Sequence, residues 1–391
     1  MSPILERIRR RTPLGWLQLN HQKGRLLVAL AGIAFADVLI FMQLGFQGAL
    51  YDSNTRLHRS LDTDIVLISP QARNLVNMST FPRRRLFQAE NVSGVAYADP
   101  LYTAFANWKN PQTHKETAIL VIGFNPNRPA FNLPEVNRYE DEIKLPDRVV
   151  FDRASRGEYT QALSQLDQGQ TVTTELERRT IYLIGTFRVG ASFATDGTLM
   201  TSDQNFLRLF PRRKAESVSV GLVRVKPGFD PQQVATILKQ TLPNDVLVLT
   251  LPEFVEFEKE YWSKNTAIGF VFGLGTAMGF VVGVIIVYQV LSTDVNAHMA
   301  EYATFKAMGF RTVYLLGIVF EEAVILAILG FLPGVGASLG LYHLTRNATN
   351  LPIVMTVFRA TEVLVLTIVM CLISGTIATR RLRSADPAEI F

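Results

Sequence analysis

The sequence predicts a membrane protein with four transmembrane α-helices and a large two-lobed α+β extracytoplasmic domain between helices 1 and 2. Three observations predict it. The 391 residues are 48% apolar, and the apolar excess is gathered into four long, nearly uncharged runs. The long segment between the first two runs is ordinary in charge and alternates strand and helix signals. Lys and Arg cluster beside the first run and after the last.

The elements follow in order. Residues 1–25 form a basic, amphipathic cytoplasmic N-terminus with Arg7, Arg9, Arg10, Arg11, Lys23 and Arg25 against the single acid Glu6. Transmembrane helix 1 is placed at 26–47, where the run Leu26 to Phe46 carries one charge, Asp37. This run is too long and begins too late for the apolar part of a cleaved signal, and no A-x-A site follows it. Helix 2 is placed at 266–291, an uncharged run whose helical length of about 39 Å exceeds a hydrocarbon core of about 30 Å. Helix 3, at 312–342, carries Glu321 and Glu322 and is long enough for Pro333 to bend or divide it. Helix 4, at 360–379, is only just long enough to span. By the positive-inside rule the N-terminal cations, and Arg380, Arg381 and Arg383 in the 380–391 tail, keep both termini in the cytoplasm. The 292–311 loop then lies inside, and the 343–359 loop and residues 48–265 lie outside. Trp16 and Trp262 flank spans as interfacial anchors would.

The outer segment reads as an α+β lobe, 48–139 and 217–265, split by an inserted β-rich lobe at 140–216. Strands are expected at Asp64–Ser69, Val92–Ala98, Ser217–Val225 and Val246–Leu249, with a short helix at Arg83–Glu90. Asp230 can cap a helix opened by Pro231, with Val234, Ile237 and Leu238 on one face. The insert has strand signals at Arg148–Phe151 and Ile181–Val189. Pro252 to Lys264 has helical spacing at Phe254, Phe257, Glu258 and Tyr261 and runs toward span two without a breaker. It is either a stiff rod into the membrane or a helix that packs on the domain.

Much chemistry is excluded. No G-x-x-x-x-G-K-[ST] occurs, so the chain cannot hold a nucleotide by a phosphate loop. There is no H-E-x-x-H, C-x-x-C or G-x-S-x-G, the five His are scattered, and Cys371 is the single Cys. A formal charge of +5 over this length is no nucleic-acid footprint. Asp37, Glu321 and Glu322 would be costly facing lipid, so each should meet a partner, water or the interface. Arg83, Arg84 and Arg85 read as a solvated helix face, with contact to anionic lipid or to an adaptor as the alternative.

Two patterns mark candidate sites. In the inner loop, Met299, Tyr302, Phe305 and Met308 recur every three residues, giving an apolar stripe with Gly309 as its C-terminal cap. Gly269, Gly273, Gly275, Gly279 and Gly283 in span two, and Gly330, Gly334, Gly336 and Gly340 in span three, allow close helix approach. That approach is either within one chain or across a dimer.

The order of one span, a large outer domain and three spans resembles the ABC permeases of the MacB/FtsX family, type VII transporters. Glu301-Tyr302-Ala303-Thr304-Phe305-Lys306-Ala307-Met308-Gly309 looks like the family's E-I-A-hydrophobic-hydrophobic-R/K-A-hydrophobic-G segment. Arg381 through Asp386, Pro387 and Glu389 resembles its R-hydrophobic…D-P-hydrophobic-E ending, and the basic stretch before span one is similar too. Just before the Glu the family usually has Arg, where this chain has His298, Met299 and Ala300. The outer domain looks closest to the DevC-type permeases, associated with glycolipid export.

The resemblance implies a non-catalytic permease subunit of the inner membrane. ATP and Mg would be bound by a separate ABC ATPase, two copies on the cytoplasmic face, with no cofactor in this chain. Met299, Glu301, Tyr302, Phe305, Lys306, Met308 and Gly309 would then form a coupling helix in an ATPase groove, whereas on periodicity alone they read equally as a membrane-surface helix. It further implies a homodimer that transmits movement to its outer domain, a lipid-like substrate, a periplasmic adaptor (a membrane fusion protein) and a TolC-like outer-membrane duct, as in tripartite efflux. A non-transporting FtsX-like regulator of an extracytoplasmic partner and a lipoprotein-release permease are the alternatives.

Overall fold

The computed structural model of the chain describes residues 23–380. The N-terminal arginines before Lys23, Trp16 and the Asp386-Pro387 ending lie outside the described residues. The chain forms two compact units, one made of Ala49–Gly269 with Arg346–Pro352, the other of the apolar helices.

The outer unit is built on one nine-stranded sheet. Its strands are β1 (Ile65–Ile68), β3 (Val95–Lys109), β4 (Glu116–Phe124), β5 (Arg148–Asp152), β6 (Val172–Leu176), β7 (Arg179–Phe187), β8 (Thr198–Ser202), β10 (Val220–Val225) and β11 (Leu247–Thr250), in the order β11-β1-β10-β3-β4-β8-β5-β7-β6. A separate pair joins β2 (Phe81–Pro82) to β9 (Ser217–Val218). The segment 140–216, expected as an inserted lobe, is therefore the second half of the same sheet. Its strand β8 pairs parallel with β4 and antiparallel with β5, and β6 reaches back to β3 through Leu176 and Trp108. The physical reason is the exposed ladder of β4: a nine-residue strand needs a partner on both edges, and the insert supplies it.

Strand β3 joins the halves. Its first residues pair with β10 and its last nine, Leu101 to Lys109, with β4. Both sheet faces are covered. One carries Leu86, Ala162, Phe206 and Leu238 from four short helices; the other carries Leu57, Val136, Ile143 and Phe254. Trp108 is fully buried, stacks on Phe151 at 5.4 Å between centroids and donates to the Tyr159 hydroxyl at 3.2 Å.

Local chemistry caps the starts of two of the helices. Asp230 accepts from the Gln232 amide at 3.2 Å and Pro231 opens the helix Pro231–Thr241. Thr250 and Glu253 form a reciprocal capping box at the start of Leu251–Lys264, and the backbone hydrogen bond from Thr250 holds the Glu253 carboxyl below its ordinary range. That helix ends at Lys264 with Asn265 as cap, and the next begins at Ala267, so the continuous rod does not form. Trp262 is buried and donates to Glu258 at 2.8 Å, which makes it a core residue of this unit and not an interfacial anchor. The arginine triplet divides likewise: Arg85 is buried in a bidentate pair with Asp245, at 2.9 and 2.6 Å, while Arg84 stays exposed.

Among the described residues the helical unit holds four helices long and apolar enough to cross a membrane: Lys23–Arg59, Ala267–Ala297, Thr312–Thr349 and Val357–Ala378, called here the first to fourth spans. The third is unbroken through Pro333. The first three outrun their apolar cores, because polar ends such as Ser292 to Ala297 carry the backbone ladder on past the hydropathy edge.

Candidate functional site

The first span is the main packing partner of Gly275, Gly279, Gly330 and Gly334. A Cβ at Gly275 or Gly279 of the second span would press on Gln43 or Ile40, one at Gly283 on Met370 of the fourth span and then on Ala36, and one at Gly330 or Gly334 of the third on Ile33 or Asp37. These five serve contacts inside one chain. Gly269 faces the carbonyls of Trp262 and Ser263, and Gly273, Gly336 and Gly340 have no described atom within 4 Å of an added Cβ. Close approach lets polar groups bridge spans: the Ser374 hydroxyl of the fourth donates to the Val284 carbonyl at 2.9 Å.

The acids in the spans are sorted by the same packing. Asp37 is fully buried and accepts from the Thr367 hydroxyl at 2.6 Å. Glu322 is fully buried and faces Asp294 of the second span, and Asp294 in turn lies 3.6 Å from His298 Nδ1. Glu321 is half-buried on the adjoining face. Sequence reasoning missed the Asp294–Glu322 pair because Asp294 was assigned to the inner loop, whereas the helix continues to Ala297 and carries it into the bundle.

The inner loop folds as the helix Met299–Ala307, and Gly309 follows at φ +91°, a conformation that costs a glycine little. The apolar stripe divides. Tyr302 is 1% exposed against Val295, Leu315, Ile318 and Val319, with Met299 and Phe305 packed beside it. Phe305 also touches Phe310 at 5.6 Å, and Phe310 touches Tyr314 at 5.1 Å. Three of the four stripe residues therefore pack against their own chain, Tyr302 wholly and Met299 and Phe305 in part. The surface left outward is Ala300, Glu301, Thr304, Ala307, Met308, Gly309 and Phe310, with Lys306 half-buried at its edge. Met308, at 61% exposure, is the one stripe residue on it. This face can offer a small, mildly apolar contact rimmed by Glu301 and Lys306. The direction of the stripe was hidden because a three-residue repeat identifies a helix face without saying which neighbour covers it.

Among the described residues no three or more His, Cys, Asp or Glu are placed to hold a metal ion. No curated protein sequence matches the chain. Solved structures that are similar in part include the periplasmic region of MacB from Actinobacillus actinomycetemcomitans, 10% identical over 53% of this chain and 96% of that one with a TM-score of 0.32, and the extracellular domain of the noncanonic ABC-type transporter YknZ from Gram-positive bacteria, 12% identical over 48% and 100% with a TM-score of 0.30. The stretch that holds the second to fourth spans and the helix between them, residues 268–387, matches the FtsX-like permease C-terminal family.

Proposed function

We propose that this chain is the permease subunit of an ATP-driven ABC exporter whose ATPase is a separate protein. The match of residues 268–387 to FtsX-like permeases carries the reading. It is joined by the order of one apolar span, a sheet domain and three apolar spans. In this reading the ATPase, two copies on a homodimer, seats on the outward face of 299–309 and the outer domain is moved by ATP turnover. The substrate is lipid-like, of the glycolipid class, and is passed to a periplasmic adaptor and an outer-membrane duct. Both termini are cytoplasmic and the sheet domain is periplasmic, in keeping with the Lys and Arg beside the spans.

A site-directed cross-link tests it. Thr304 is exposed on the outward face, and Cys371 is free and buried. A Thr304→Cys chain in a Cys371→Ser background, treated with a short bifunctional maleimide–amine reagent in native membranes, should form an adduct whose mass spectrum identifies an ABC ATPase. Adducts to other membrane proteins but to no ATPase would refute the reading.

A further inference from the structure

A second site lies wholly within the outer unit. A cleft of about 770 Å³ is lined by Arg56, Arg153, Arg188 and Arg346, and no Asp or Glu lines it. Buried chemistry holds its walls in place. Asp152 is fully buried and accepts from the amides of Ala154, Val189 and Gly190 at 3.0, 3.2 and 2.7 Å, which fixes the chain on either side of Arg153 and Arg188. Arg56 donates to the Val189 carbonyl at 2.9 Å, and Gly190, at φ +97°, leaves room for that guanidinium. Arg156 donates to the Thr349 carbonyl at 3.5 Å and so ties the segment carrying Arg346 to the sheet domain.

The arginines around this cleft differ in what neutralises them. Arg153 pairs with Asp167 at 3.2 Å, and Arg156 with Asp196 at 2.5 Å. Arg188 and Arg346 are exposed and have no carboxylate partner among the described residues. Arg56 has Asp52 and Asp152 near it and Arg153 has Asp167, which leaves Arg188 and Arg346 as the unneutralised cations of the cleft, and Arg188 repels Arg56, so an anion there would relieve that repulsion. Guanidinium forks suit the paired oxygens of a phosphate or sulfate. Leu133, Leu163 and Leu351 line the same cleft, so the bound anion would carry an apolar neighbour. Arg346 follows directly on the apolar third span, after the exposed Leu341 and Leu344, which is the sequence position of a headgroup-level cation.

We propose that this cleft binds the phosphate or sulfate headgroup of an anionic lipid of the outer leaflet. The site does not depend on the ATPase reading, only on the spans crossing a membrane, so its failure leaves that reading standing.

The test uses the full chain in neutral detergent, titrated by calorimetry with dioctanoyl phosphatidylglycerol, dioctanoyl phosphatidylcholine and free glycerol 3-phosphate. Saturable phosphatidylglycerol binding is expected, with the other two at least tenfold weaker. Arg188→Gln with Arg346→Gln should weaken it by about fivefold per cation, the factor corresponding to ~1 kcal/mol for each cation near an anionic surface. Both side chains are exposed, so the fold should survive, and Arg188→Lys with Arg346→Lys should keep most of the affinity. Arg178→Gln with Arg179→Gln, in a different cleft, should change nothing. Equal binding of the two lipids, no binding of either, or unchanged affinity in the double Gln variant would overturn the proposal. Glycerol 3-phosphate binding as tightly as the lipid would also overturn it, by assigning the cleft to a free oxyanion.

Discussion

The inner helix gives opposite expectations for two residues of one stripe, and the contrast tests how it is built. Tyr302 is 1% exposed among Val295, Leu315, Ile318 and Val319, whereas Met308 is 61% exposed. Truncating a buried aromatic costs about 3–5 kcal/mol, a large share of the ~5–15 kcal/mol that holds a typical fold together. Tyr302→Ala should therefore lower the thermal midpoint of the purified chain and release the 299–307 helix. Met308→Ala removes a side chain that touches little, so stability should stay within ~0.5 kcal/mol. If Met308 is the apolar anchor of a partner interface, its loss costs about 2 kcal/mol there, close to thirtyfold in affinity. The assay pairs a melting curve in detergent with ATPase affinity measured on the cross-linked partner once identified. Tyr302→Ala with an unchanged midpoint, or Met308→Ala that destabilises the chain while leaving ATPase affinity intact, would refute the assignment of inward and outward faces.

Three further outcomes are expected. Gly334→Leu and Gly283→Leu drive side chains into Asp37 and Met370 and should destabilise by at least the ~1–3 kcal/mol of overpacking, while Gly336→Leu, open on that side, should leave the melting midpoint unchanged; equal effects would contradict the packing. The hydrogen bonds from Arg85 hold the Asp245 carboxyl below its ordinary range. A carboxylate depressed in the folded state adds stability above its unfolded pKa of about 4 and loses it as pH falls through the lower folded value. The difference in midpoint between the wild type and Asp245→Asn should thus be flat from about pH 5 to 7 and shrink below about 4, and a difference that grows on acidification would count against the pair. Finally, His114→Cys and Asn347→Cys, both exposed, should react with an impermeant maleimide in intact spheroplasts in a Cys371→Ser background, and Ala300→Cys should react only after lysis; labelling of Ala300→Cys from outside would reverse the topology.

The four spans were legible because nothing else explains so long an apolar run, and several outer elements because their patterns are local. The Asp230-Pro231 opening and the Val234 and Leu238 face need only neighbours in sequence, and they appear where expected. Strand β3 does not work this way. The expected strand stops at Ala98, whereas β3 runs on through Pro100 to Lys109; both sheet faces are covered there, so Leu101, Tyr102 and Thr103 are all buried and carry no alternation. The continuity of the sheet across 140–216 was invisible for a related reason. Pairings such as Ile122 with Met200 join residues too far apart for any local pattern to record.

Hydropathy fails at span ends in a way that matters for function. It marks where apolar side chains stop, not where the helical hydrogen-bond ladder stops, and Asp294 falls in the gap between the two. Counted as loop, it is one more surface acid; carried on the helix, it meets Glu322 in the interior, with His298 one turn farther along. The same extension places Val295 under Tyr302. The second span thus carries one member of the buried acid pair, Asp294, next to Val295, part of the seat of the 299–307 helix. Burying this polar pair carries a cost that apolar packing would avoid.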